Sequence, residues 1–340
     1  MDVSHAEVAR ARDRLIALGG DPLAVIGDPY ELARMAGDIA LDRDVLYDLE
    51  GLAEAVGTDE AHTAELLGYL GVAGPFDDAV RFTDGDASLL RGIIGAPRQW
   101  VRAEEVAELL RVLGRAMATS AEASVAYHLR SIEPHLTDLA DWVDANHEMA
   151  QLSHTMGDHL GAVYRHHLRQ AVDLQRSVNA GAGRGEILDV AVAFVDLTGF
   201  TGMSLDLDLI GLGDVVARLD VLATDAARAH ESRVVKLIGD EAMFVGGDAA
   251  QLAKAAWRFV DAVAGEDIDA HGAVTFGRVT MNHGDYFGPV VNLAARLVDH
   301  AGPGELLCDE ATAEVVPAEP AGEREIRGLP EPVPVYRLTR

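Results

Sequence analysis

The chain is poor in several things, and each shortage narrows what it can be. A single cysteine, Cys308, stands among 340 residues, so no internal disulfide can form. No run of about 18 apolar residues occurs, which excludes a membrane-spanning helix. The first residues, Met1 to Glu7, lack the basic start and apolar stretch of a secretory leader. Together these absences make the cytoplasm the expected location. Lysine is almost missing: Lys236 and Lys254 are the only two. With 28 basic against 56 acidic residues the formal net charge is −28. That balance argues against general affinity for nucleic acid or anionic lipid. A polyanionic substrate would need local cations, supplied by metal ions or by arginine and lysine.

What is present divides the chain in two, as its length leads one to expect. Residues 1–178 read as helical. Ala6 to Leu18 has helical periodicity and stops at Gly19-Gly20. Shorter helices are expected over Tyr30–Ala36, Val45–Ala55, Ala61–Leu70 and Ala87–Ile94. The stretch from Leu52 to Leu67 has helix-turn-helix rhythm, but its second helix carries no Lys or Arg to meet phosphates. A structural helical hairpin is expected there. A stronger helix runs from Arg102 to Met117, with Glu104 and Glu105 at its start and Arg111 and Arg115 later, in agreement with the helix dipole. A long helical run follows, with Pro134 and Gly157 as its expected breaks. Seven of the 13 histidines fall in this run, from His128 to His167. The spacings 128/135, 147/154 and 159/166 are two helical turns each, so members of a pair can share a face. The plain reading is a packing surface; the sharper one is a pH-responsive surface, since free histidine titrates near ~6.5. No His-Glu-x-x-His pattern favours zinc.

Residues 179–186, rich in glycine, read as a flexible junction. From 187 to 340 the pattern changes. Strands are expected over Ile187–Val195, Asp269–Thr280, Glu305–Cys308 and Val333–Leu338, with helices over Leu209–His230, Ala249–Val263 and Val290–His300. Between them Val234 to Phe244 reads as two short strands closed at Gly239-Asp240. The order βαββαβ with extra terminal strands implies a ferredoxin-like α+β domain behind an all-helical one.

Three segments of this second half carry chemistry. The first is the buried strand from Val190 into Asp196, continued by Leu197-Thr198-Gly199-Phe200-Thr201. The second is the hairpin tip Asp240-Glu241, with Lys236 four residues before the turn residue. The third runs from His283 through Asp285 and Asn292 to Arg296. An acidic tip on a rigid hairpin suits a hard divalent cation, though alone it reads equally well as a solvated turn. Asp196 at a strand end and Asp240 on the neighbouring hairpin can meet as a pair of carboxylates. Asn292 and Arg296, four apart, share one helix face.

Together the three segments resemble the catalytic domain of class III nucleotidyl cyclases, most closely the bacterial adenylyl cyclases. The resemblance covers 187–340. It implies that Asp196 and Asp240 hold two divalent metal ions, Mg or Mn, and that Lys236 and Asp285 select the adenine of ATP. It implies that Asn292 orients the ribose and that Arg296 stabilises the charged phosphate. The backbone of Gly199, Phe200 and Thr201 would meet the β- and γ-phosphates, and Arg327 would reach the triphosphate. It further implies a head-to-tail homodimer, with the metal aspartates on one subunit and the adenine pair, Asn292 and Arg296 on the other. Residues 1–178 are similar to the regulatory domain of a subgroup of soluble adenylyl cyclases that includes a mycobacterial pH-sensing, autoinhibited member. The segments Arg81-Phe82-Thr83-Asp84-Gly85-Asp86 and Arg111-Val112-Leu113-Gly114-Arg115-Ala116 carry that likeness. It implies acid activation and a lipid-like ligand in this domain. Two other classes stay open: a guanylyl or diguanylate cyclase using GTP, since Ile238-Gly239-Asp240-Glu241-Ala242 also resembles a Gly-Gly-Asp-Glu-Phe hairpin, and a non-catalytic cyclase-like module.

Overall fold

Apolar residues at helical spacing and polar caps fix the elements of the N-terminal half. The computed structural model describes residues 3–24, 28–72, 74, 81–96, 102–178, 187–266 and 268–340. It divides into two compact units, Met1–His166 and His167–Arg340. Helix α1 (His5–Ala17) begins at a reciprocal cap in which Ser4 and Glu7 satisfy each other's backbone N–H. Helices α2 (Glu31–Leu41), α3 (Leu49–Val56), α4 (Glu60–Tyr69) and α5 (Asp84–Ile94) follow. The third starts four residues later than expected, because Asp48 caps it and Tyr47 is drawn into an isolated bridge with Phe82. The fifth starts earlier, at a Thr83/Asp86 cap. Helix α6 runs far beyond Met117 (Ala103–Ser131), and α7 spans Leu139–Val178.

Pro134 ends the first of these long helices as expected, in a short 3₁₀ turn at Glu133–His135. Gly157 does not break the second. A glycine costs a helix only about 1 kcal/mol, and the 40 residues of α7 carry it. The Gly-rich stretch 179–186 lies outside the described residues. Two small cores hold the helical unit. One joins α1, α2 and α7 through Leu15, Leu32, Ala36, Leu139 and Val143. The other joins α3 to α6 through Leu52, Leu66, Leu90 and Leu110.

The second unit is built on one eight-stranded sheet. Its elements are β1 (Ile187–Leu197), α8 (Phe200–Asp206), α9 (Leu209–Arg228), β2 (Ser232–Ile238), β3 (Glu241–Gly246), α10 (Ala249–Ala264) and β4 (Ala270–Asn282). Then come β5 (Asp285–Phe287), α11 (Pro289–Leu297), β6 (Leu306–Cys308), α12 (Glu310–Ala313), β7 (Ala318–Arg324) and β8 (Val333–Leu338). The strand order is β2-β3-β1-β4-β6-β8-β7, with β5 paired to β4 alone. The first four strands lie in the order β2-β3-β1-β4, the ferredoxin-like arrangement that βαββαβ implied.

Alternation along β1 separates two cores. Ala191, Ala193 and Val195 face α9 and α10; Val190, Val192 and Phe194 face α11. Cys308 is buried in the first of these cores, and burial pushes its thiol up to about 12, so it is inert.

Candidate active site

The same alternation places the polar residues. Asp196 continues the series of Val190, Val192 and Phe194, so it belongs to the α11 face, near the end of β1. After it Gly199, at φ +78°, turns the chain into α8, and Phe200 is buried where the helix begins. The side chain of Thr201 lies outside the described residues. Antiparallel pairing of Val195 with Ala242 brings the β2–β3 turn alongside Asp196. Gly239 sits in that turn at φ +66°, and Asp240 follows it.

The result is a set of carboxylates that feel one another. Burial, and then the neighbouring Asp240, hold the Asp196 carboxyl above its usual range, with His271 acting in the opposite sense. Burial, then Asp196, Asp299 and Asp240, push Glu241 up to about 7. Asp299, just after α11, was not singled out in the sequence. Neither was His271, which β4 places directly opposite Asp196. Its Nε2 lies 3.9 Å from the Asp196 carboxylate, and its Nδ1 lies 3.0 Å from the Thr198 hydroxyl.

Mutual repulsion of this kind is what a cation relieves. Among the described residues no group of three or more His, Cys, Asp or Glu side chains is arranged to enclose a metal ion. Two carboxylates nevertheless fit magnesium, which is commonly bound by one or two carboxylates together with substrate phosphates and water. The donor set at Asp196 and Asp240 therefore suits a divalent ion shared with a phosphorylated substrate.

A second group forms at the edge of the sheet. Lys236 of β2 makes an ion pair with Asp285 of β5, across 49 residues of sequence. The other oxygen of Asp285 accepts from the backbone N–H of Tyr286 at 2.9 Å, which fixes the carboxylate plane. Both side chains remain about a third exposed (38% and 29%), open to a ligand.

A third group sits on α11. Pro289 starts this helix, and Val291, Ala294 and Leu297 bury its inner face. Asn292 and Arg296 lie on the outer, exposed face. The Arg296 guanidinium donates to the backbone carbonyl of Arg327, whose own side chain is on an exposed residue. Gly328, at φ +84°, permits that approach: a Cβ there would lie 2.9 Å from Arg296 Nη1. The structure thus ties Arg327 to Arg296 through its carbonyl oxygen.

In the helical unit the histidines divide. His147 and His154 do share a face: His147 Nδ1 lies 3.0 Å from the Ala36 carbonyl, and His154 Nε2 lies 2.7 Å from the Ala40 carbonyl, both on α2. His154 Nδ1 is also 3.4 Å from Asp44. His128 and His135 are separated by the break at Pro134; the first is buried and the second exposed. A surface cleft of about 550 Å³ in this unit is lined by Val3, Val8 and Ile16 but also by His5, Arg12 and Asp13. No helix among the described residues is long and apolar enough to cross a membrane.

No protein-family model matches the chain. It is 32% identical to an uncharacterized protein of Mycobacterium tuberculosis, over 97% of this chain and 85% of the relative. An adenylate cyclase of Streptomyces coelicolor is 28% identical over 87% of this chain and 76% of its own length. A pH-sensitive adenylate cyclase of M. tuberculosis is 30% identical, over 70% of this chain and 64% of its own. Among solved structures, an adenylyl cyclase from P. aeruginosa aligns over 46% of this chain and 95% of its own, at 21% identity and a TM-score of 0.41.

Proposed function

The chain belongs to the class III adenylate cyclase family, and from that membership we propose that it converts ATP to 3′,5′-cyclic AMP and pyrophosphate at sites shared by two copies of the chain. The observation that carries the choice of substrate is the meeting of Lys236 with Asp285. A cationic donor beside an anionic acceptor matches a purine edge. Adenine offers N1 as acceptor and its 6-amino group as donor. Lys236 donates to N1 and Asp285 accepts from the 6-amino group, the order the family resemblance implies, and guanine, with O6 as acceptor and N1–H as donor, would leave both groups mispaired. Buried or half-buried polar groups left unpaired by the wrong base make such selection steep.

At the reacting end, divalent ions held by Asp196 and Asp240 would supply Lewis-acid charge to the 3′ oxygen and the leaving pyrophosphate. The protein's own part is placement. Arg296, held by the Arg327 carbonyl, presents a planar cation to the charge that develops on the α-phosphate. Asn292, one turn earlier on α11, orients the ribose. The backbone N–H groups from Gly199 to Thr201 meet the β- and γ-phosphates, and the Arg327 side chain adds charge there. We assign the metal aspartates of one copy and the purine pair, Asn292 and Arg296 of the other to each site, which gives a homodimer two equivalent sites.

We further propose that the helical unit regulates turnover and that acidity is its signal. The support is the His147 and His154 contacts with α2. A protonated His154 donates from both ring nitrogens, to the Ala40 carbonyl and to Asp44 together. The cleft beside α1 mixes apolar Val3, Val8 and Ile16 with His5, Arg12 and Asp13 and does not by itself single out a lipid.

Turnover of ATP against GTP with Mg²⁺ or Mn²⁺, with product identified, tests the reading. Cyclic AMP as the main product is expected. A preference for GTP would make the chain a guanylyl cyclase, and no turnover of either nucleotide would make it a binding module.

A further inference from the structure

Strand β2 contains one residue too many. Val234 pairs with Phe244 and Lys236 with Met243, so Val235 has no place in the ladder. In an unbroken strand Arg233 and Lys236, three apart, would point to opposite faces. The bulge returns them to one face, that of Met243 and Val245, where α11 and Tyr286 pack. Both then address β5. Lys236 pairs with Asp285, and Arg233 Nη2 donates to the Tyr286 hydroxyl at 3.0 Å, with its guanidinium 5.2 Å from the ring centre.

Strand β5 is held by the burial of Tyr286 in the α11-face core and by a short strand pairing. It is three residues long and, among the described residues, its only strand partner is β4. Tyr286 is buried to 2% exposure, and its backbone N–H donates to Asp285. The position of the Asp285 carboxylate therefore depends on where Tyr286 sits, and the hydroxyl of Tyr286 is held by Arg233.

We propose that Arg233 is a specificity-positioning residue: through the Tyr286 hydroxyl it fixes β5 so that Asp285 and Lys236 stand at the spacing one purine edge requires. The inference rests on reading Lys236 and Asp285 as the purine-contacting pair. Arg233 does not touch the base. Arg233 is itself exposed and its hydrogen bond part-buried, so losing that bond should cost global stability only the modest net worth of one hydrogen bond. Its loss frees a short strand, and the consequence falls on discrimination between bases.

The test uses the full-length chain and α,β-methylene analogues of ATP and GTP, whose P–C bond blocks cyclisation, so that binding is read without turnover. Wild type is expected to favour the adenine analogue. Arg233→Ala should lower the adenine-to-guanine binding ratio by about tenfold, the scale of one charge-assisted hydrogen bond. Its thermal unfolding midpoint should stay near that of wild type. Tyr286→Phe keeps the ring and should move the ratio in the same direction. Arg233→Lys should restore part of it. In turnover, KM for ATP should rise more than kcat falls. An unchanged ratio in both Arg233→Ala and Tyr286→Phe overturns the inference, and so does an equal loss of affinity for both analogues. A wild-type chain that binds the two analogues alike overturns both this inference and the ATP reading. A wild-type chain that prefers the adenine analogue yet forms no cyclic AMP overturns the proposed reaction alone.

Discussion

The two units of this chain differ in whether their polar side chains are satisfied or crowded by like charge. In the helical unit they attach to backbone or pair with an opposite partner: Ser4, Asp48, Asp59 and Thr83 cap helices, His147 and His154 reach main-chain carbonyls of α2, and Arg10 pairs with Asp138. In the sheet unit the polar residues of the α11 face attach to one another or crowd one another, as Lys236 does with Asp285 and Asp196 with Asp240 and Glu241. The first pattern shapes a fold. The second is held in place by a fold that two apolar cores already stabilise, and the carboxylate crowding works against stability. A region whose charges the structure tolerates rather than needs is a region kept for chemistry.

The widest separation between the units should come from removing a carboxylate. Asp196→Ala or Asp240→Ala is expected to cost more than about a hundredfold in cyclase turnover, because each withdraws a ligand worth several kcal/mol at the transition state. Thermal unfolding of either variant, read by circular dichroism, should stay level or move up, since a repelling charge has gone. Full activity would show that these carboxylates do not serve the reaction.

Complementation takes the comparison to the level of assembly. Asp196→Ala and Arg296→Ala are each expected to be inactive. After equal mixing with free exchange, half the dimers are mixed and each has one of two sites intact, so roughly a quarter of wild-type activity should return. Exchange proven by differently tagged copies, without that recovery, would assign every catalytic residue to one chain.

The helical unit should break through packing instead. A Cβ on Gly114 would lie 2.1 Å from the Leu70 carbonyl oxygen, where α6 crosses the end of α4. Gly114→Ala is expected to destabilise that unit by about 1–3 kcal/mol, the cost of overpacking. Hydrogen exchange should show faster opening of α3 to α6, with protection of β1 and β4 unchanged. Equal loss of protection in both units would mean that they unfold as one.

The smallest effect is a matter of pH. Glu241 is held above the ordinary glutamate value, at about 7, by burial and by its acidic neighbours. A carboxyl raised in the folded state costs stability once it ionises there. The cost is absent in acid, where folded and unfolded chains are both protonated, grows as pH rises from the ordinary value to about 7, and is complete above it. In metal-free buffer Glu241→Gln should therefore unfold at a higher temperature than wild type at about pH 8 and at the same temperature at about pH 4. Mg²⁺ should narrow the gap at the higher pH. A gap that persists in acid would point to packing rather than charge.

Much of this was legible in the sequence because the signals were local. Asp196 ends an apolar run, Asp240 follows a turn glycine, and Asn292 and Arg296 share a helix face by spacing alone. His271 was not legible: it matters because β4 pairs with β1 in one register, and register is a property of two strands. Arg233 and Tyr286 were hidden for the same reason, and Asp299 because it lies in the short turn after α11, whose packing on the sheet is tertiary. Strand β7 was missed because Pro320 and Gly322 disfavour strands. It exists at the end of the sheet, with an irregular register between Pro320 and Glu323, where such residues are tolerated. The break expected at Gly157 failed because helix length outweighed one poor residue. The paired histidines were counted correctly as two turns apart, but only the tertiary fold says that 147 and 154 meet α2 while Pro134 parts 128 from 135.

The surplus residue in β2 makes strand length a matter of counting. The turn at Gly239-Asp240 anchors one end of the strand and α9 the other, so the seven residues from Ser232 to Ile238 have no slack to slide. Removing Val235 would leave a regular ladder with no charge altered, and would take away the contacts Val235 makes with the α11-face core. Arg233 and Lys236 would then stand two apart and keep to the face of Val245 and Met243. Straightening the strand with Val235 kept would instead turn one of the two cations to the side of Phe244 and α10, among apolar side chains and away from β5. What is preserved at this strand is parity: with seven residues only a bulge keeps the two cations on one side, and with six a regular ladder would do the same.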